Sequence, residues 1–151
     1  MLATKILIED HRQAISLVEQ LEGVRSDERG NRETFRELKA ALELHMLEEE
    51  DIYYPALAQF EEFEDLIDDN VPEHEMVRAN LAQMNELSPA SDEFQQLLTE
   101  TRAALEMHME NEENDVFPRS IELLGEDRIN ELGNQIDQMK GDDGMSRSAG
   151  V

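Results

Sequence analysis

At 151 residues and 17.4 kDa, with 39% hydrophobic residues, the chain is long enough for one domain around a single core. Thirty-seven acidic against thirteen basic residues give a formal charge of −24, a field that repels phosphate backbones and anionic lipid, so nucleic acid and membrane are poor partners. The absence of cysteine excludes disulfides, thiolate zinc sites, Cys-ligated iron–sulfur clusters and covalent c-type haem. The opening MLATKILIEDHRQ lacks the long apolar region of a signal peptide and no 18-residue apolar run follows, so a cytoplasmic protein is the expectation.

From about residue 4 to 22, Leu7, His11, Ala14, Ile15, Val18 and Leu21 recur at steps of three and four and predict a first helix that stops at Gly23. After the polar loop SDERGN, a second stripe from about Arg32 runs through Phe35, Leu38, Leu42, His45, Glu49 and Ile52, and Pro55 is expected to kink or end it. The acidic stretch 61–70 reads as a short helix or turn. Pro72 suggests a third helix starting near Val71, with Val71, His74, Val77, Leu81 and Met84 on its inner face. Ser91 caps a fourth, whose stripe is Phe94, Leu98, Thr101, Leu105, His108 and Glu112 before Pro118 interrupts it. Ile129, Leu132, Ile136 and Met139 predict a short extra helix, and the glycine- and serine-rich segment 141–151 a disordered tail.

Four helices with short connections, and no alternating pattern anywhere, predict an all-α, up-down-up-down antiparallel four-helix bundle over residues 1–140. Within it the chain repeats itself. His74 and His108 lie 63 residues beyond His11 and His45, and the same offset carries Glu49 onto Glu112, Glu50 onto Glu113 and Pro55 onto Pro118. Each predicted helix thus has one histidine where leucine or isoleucine would otherwise stand. His45–Glu49 and His108–Glu112 are HxxxE pairs whose two side chains share a helix face. A lone inward histidine is more often a satisfied core residue than a ligand. Four in register with two carboxylates reverse that inference, because buried carboxylates without a cation cost several kcal/mol each.

Four imidazoles and two bridging carboxylates supply two metal ions with two nitrogens and two oxygens each. An oxo or hydroxo bridge adds a fifth ligand and leaves open positions, an arrangement that suits iron or manganese better than closed tetrahedral zinc, although the donor types also admit zinc. Met46, Met76, Met84, Met107 and Met109 read as core filler. Glu50 and Glu113 read as solvent-facing or as partners for imidazole N–H groups.

The order H, HxxxE, H, HxxxE, with Tyr-Tyr-Pro and Val-Phe-Pro ending ten residues beyond the second and fourth histidines, resembles the hemerythrin-like (HHE cation-binding) family over about residues 5–120. The resemblance implies that His11, His45, His74 and His108 are terminal iron ligands and that Glu49 and Glu112 bridge the pair. It also implies oxygen as the ligand, yet oxygen carriers of that family have a fifth histidine one turn after the third, where this chain has Arg78. Water, Glu48, Glu50, Glu113 or the Tyr53 phenol could supply the missing donor, Tyr53 lying two turns beyond His45 on a similar face. Three functions are consistent with this pattern: a di-iron centre that binds oxygen or nitric oxide or turns over hydrogen peroxide, an iron reservoir or donor, and a structural metal.

Overall fold

The computed structural model describes residues 1–149, with side-chain surroundings through 143. Every regular element among the described residues is helical, with no strand. Helix α1 spans Ala3–Leu21, α2 Glu28–Glu48, α3 Tyr54–Leu57, α4 Glu64–Asn85, α5 Asp92–Asn111, α6 Phe117–Leu124 and α7 Glu126–Ala149. Helix α1 packs on α2 and α5, and α4 packs on the same two, so the four long helices close a ring. No helix among the described residues is long and apolar enough to cross a membrane.

The stripes bury as their spacing dictates, from Leu7 through Leu21 on α1 and from Phe94 through Leu105 on α5. They form two apolar clusters. One gathers Leu17, Leu21, Phe35, Leu38, Leu81, Met84 and Phe94; the other gathers Leu7, Tyr53, Leu57, Phe63, Phe117, Ile129 and Ile136. Between them, one turn along each of the four long helices, lie the histidines. The core is therefore two oil layers with a polar layer between.

Four expectations need correcting. First, neither Pro55 nor Pro118 ends its helix: the chain passes through π-helical turns at Glu49–Tyr53 and Glu112–Val116, themselves 63 residues apart, and continues into α3 and α6. Tyr54 N–H bonds to Glu49 O and Phe117 N–H to Glu112 O, so each turn takes in one extra residue just ahead of a proline that has no N–H to give. Second, α4 starts at Glu64 after a 3₁₀ turn at Glu61–Phe63, so Pro72 lies inside it and Val71 is 40% exposed. An interior proline costs about 3 kcal/mol. Packing of Leu66 and Ile67 on the second cluster, and the bond from buried Asn70 to Tyr54, oppose that cost.

Third, the expected short terminal helix is the 24-residue α7, which takes in most of the segment 141–151 that composition assigns to a disordered tail; residues 150 and 151 lie outside the described residues. Ile129, Leu132 and Ile136 are buried, and Gly133 lets the N-terminus approach so closely that a Cβ there would lie 2.0 Å from Met1 O. Fourth, Met46, Met84 and Met109 are core residues, but Met76 and Met107 are exposed, because they fall on the outer faces of α4 and α5.

Candidate metal centre

Helical spacing brings His11, His45, His74 and His108 to one level, at most 10% exposed, and the two π-helical turns open with Glu49 and Glu112, both fully buried. The imidazole Nε2 atoms converge on those carboxylates. His45 and His74 lie 3.4 and 3.3 Å from Glu49 Oε1, His11 and His108 each 3.2 Å from Glu112 Oε1, and His108 also 3.5 Å from Glu49 Oε1. His11, His45 and Glu112 form one group that could hold a cation, and Glu49, His74 and His108 another. The six sequence-predicted donors thus stand together.

Outward from the cluster, every imidazole Nδ1 meets a carboxylate. His11 faces Glu113 at 3.0 Å, His74 faces Glu50 at 2.7 Å, His45 faces Asp10 at 3.0 Å and His108 faces Glu73 at 3.4 Å. A carboxylate can only accept, so each Nδ1 carries the proton and each neutral ring aims the Nε2 lone pair inward. Glu50 and Glu113 are therefore imidazole partners. Asp10 and Glu73, related by the same 63-residue offset, escape the sequence reading because they lie on the rims of their helices; each stands one residue before a first- or third-helix histidine, a signal visible once the repeat is known. The repeat extends to the rings: Phe117 stacks on His11 and Tyr54 on His74, at 5.9 and 5.8 Å between centroids.

The Nε2 atoms of His11, His45 and His74, with Glu49 Oε2 and Glu112 Oε1, have no hydrogen-bond partner although fully buried. Buried polar groups are almost always satisfied, and inward lone pairs facing carboxylates call for a positive charge between them, a metal ion or protons. Without the metal ion, protons take its place. Burial opposes charge on His108, but Glu112 and Glu49 outweigh it and push its pKa up to about 11; the same pair raises His11, and Glu49 with Glu50 raises His74. Burial also works to keep Glu49 neutral, and the surrounding imidazoles, His45 first, hold it well below the ordinary carboxylate range instead.

No hydrogen bond joins Tyr53 to the six donors. Its phenol is hydrogen-bonded to Ser120, and the extra residue of the π-helical turn gives the position beside the carboxylates to Tyr54, whose hydroxyl donates to Glu112 Oε2 at 3.3 Å and accepts from Asn70 at 3.0 Å. Burial, then Glu49 and Glu112, keep the Tyr54 phenol protonated by raising its pKa well above 10. Arg78 also lies away from the carboxylate pair, donating to Glu50 Oε1 at 2.8 Å and so bracing the carboxylate that holds His74. Glu48 is fully buried on the other side of α2, beside Asp10 and Lys140.

The model of the hemerythrin HHE cation-binding domain matches residues 2–142, nearly the whole chain. The chain belongs to that family. Neither a curated protein nor a solved structure matches it significantly. Hemerythrin membership accounts for a cation-binding histidine and glutamate cluster in an all-helical fold, and the unsatisfied inward atoms of this chain fit such a cation.

Proposed function

We propose that the protein is a non-haem di-iron protein that reacts with small oxygen-derived molecules, hydrogen peroxide above all, within an up-down-up-down bundle and a cytoplasmic setting. In this reading His11 and His45 hold one ion, His74 and His108 the other, and Glu49 and Glu112 bridge them beside an oxo or hydroxo oxygen. The observation that carries it is the set of buried, inward-facing and unpartnered Nε2 atoms around two buried carboxylates. Nitrogen and oxygen donors with coordination left open favour iron over a closed zinc site. Such a pair supplies two-electron redox chemistry with oxygen or peroxide.

The protein's own residues supply the setting. Leu42, Met46, Val77, Leu105 and Met109 wall a cavity of about 20 Å³ against His45, His74 and His108, room for about one water-sized molecule. These apolar walls exclude bulk water. Tyr54 keeps its proton and holds Glu112 in place. Arg78, standing where a fifth imidazole would be, spends its charge on Glu50, so one ion has fewer protein donors than in an oxygen carrier and peroxide turnover is favoured over reversible carriage.

Iron donation is the second reading, supported by the charge of −24. Full burial of Glu49 and Glu112 opposes fast release. Anaerobic loading with ferrous iron tests both. Two irons per chain, and oxygen evolved from peroxide without a co-reductant, are expected. Tight, inert zinc with no response to oxygen or peroxide would overturn the proposal, and rapid iron transfer to an apo-acceptor without peroxide turnover would favour donation.

A further inference from the structure

The 63-residue offset relates the two halves of the cluster, and the carboxylates behind His45 and His108 depart from it. Asp10 and Glu73 are counterparts that face His45 and His108, yet Asp10 is 14% exposed and hydrogen-bonded at 3.0 Å, whereas Glu73 is 51% exposed and stands 3.4 Å off as an ion pair. The difference is Lys140 on α7, whose Nζ lies 2.9 Å from Asp10 Oδ1 and 2.8 Å from Glu48 Oε2. Among the described residues Glu73 pairs with no lysine or arginine, and the counterpart of Glu48 is the exposed Asn111.

Lys140 occupies a place that calls for a positive charge. Glu48 is fully buried, Asp10 nearly so, and with His45 they form a third group whose ligand atoms lie within 4.8 Å of one another. Two carboxylates side by side repel each other, and a half-buried ammonium hydrogen-bonded to Asp10 and ion-paired with Glu48 relieves that repulsion. α7 can hold the ammonium there because Ile129, Leu132 and Ile136 anchor it and Gly133 seats it against the start of α1, the helix that carries Asp10.

We propose that Lys140 is a positioning residue of the metal centre: it fixes Asp10 and Asp10 fixes the His45 ring, so that α7 strengthens the His11/His45 cation site, as Arg78 through Glu50 braces His74 in the other half. The inference rests on the reading of the four histidines as ligands. Carboxylates behind metal-bound histidines orient the ring and raise its basicity, and losing one typically weakens metal affinity about 10- to 100-fold. In the other half Glu73 is solvated and free of such a clamp.

The test is a competitive zinc titration of the full chain against a chromophoric chelator, with ring ¹⁵N shifts of the zinc-loaded protein to assign the halves. Wild type should bind two ions, one of them at His11/His45. In Lys140→Met the His11/His45 constant should fall about tenfold or more and the other by less than about threefold, with the His45 ring shifts moving and the His108 shifts still. Lys140→Arg should restore both. Asp10→Asn, which keeps an acceptor for His45 but loses the charge, should weaken the same constant and serves if Lys140→Met fails to fold. Two ions bound by wild type with constants untouched in Lys140→Met, or equally lowered together with a general loss of stability, would overturn the inference; a wild type that binds no ion would instead overturn the ligand assignment beneath it.

Discussion

Single side chains around the cluster divide into those that face its centre and those that hold them there, and substitution should separate the two. Glu49 and Glu112 are fully buried and each stands close to two or more imidazole Nε2 atoms. Glu112→Ala should therefore cost at least one of the two metal ions, read as metal content after loading, because it removes an oxygen donor shared by both ions and half of the negative charge that faces them. Tyr54→Phe is milder. It removes one neutral hydrogen bond to Glu112 and leaves the Asn70 amide without its acceptor, a loss of about 1–2 kcal/mol in denaturant unfolding with metal stoichiometry kept at two. Tyr53→Phe should leave the centre's absorption spectrum untouched, since that phenol meets Ser120; a spectral change there and none in Tyr54→Phe would reverse the roles assigned to the two tyrosines.

The π-helical turns are the elements on which the centre depends. Each takes in one residue more than an α-helix would, so the ligand face before it and the aromatic face after it both point inward: Glu49 and Tyr53 are fully buried on one, Glu112 and Val116 on the other. Deleting exposed Asp51 would restore α-helical register and turn Tyr53, Tyr54 and Leu57 by about 100° relative to His45. With three buried side chains misplaced, a loss of about 3–5 kcal/mol is expected in chemical unfolding, whereas deleting exposed Gly141 from α7 should cost little. These turns were hidden in the sequence. His45, Glu49, His108 and Glu112 are legible because ligand spacing follows the same three-and-four rule as a core stripe, and the repeat marks them out. Pro55 and Pro118 advertise a break, but nothing local to them tells a bend from a π-helical turn that lets the helix continue. Pro72 misleads for a related reason. Helix-start statistics favour proline in the first turn, and the partners that Leu66, Ile67 and Asn70 meet to carry α4 across it lie elsewhere in the chain. The length of α7 was illegible likewise, because its hold on the molecule rests on Lys140 and Gly133 meeting residues more than a hundred positions away.

For the molecule as a whole, protons and metal compete for the same buried lone pairs, and this makes its stability depend on pH in opposite senses with and without metal. In the metal-free protein the pKa of His108 stands at about 11 against 6.5 when unfolded, with His11 and His74 raised as well. A group whose folded pKa is raised stabilises fully below its unfolded value and loses that contribution as pH rises, here from about pH 6.5 through 11. The metal-free protein should therefore weaken steadily above neutrality. Loaded protein has given up those protons, so its stability lacks this slope, and metal affinity itself grows as fewer protons must be displaced. Melting curves at pH 6, 7.5 and 9 with fixed free metal should show chelation lowering Tm at every pH and the gap widening towards pH 9. Zinc binding at pH 7 should also release protons, seen as a binding heat that changes with the buffer's ionisation enthalpy. A gap that narrows with pH, together with a buffer-independent heat, would mean that the imidazoles are neither protonated without metal nor ligands with it.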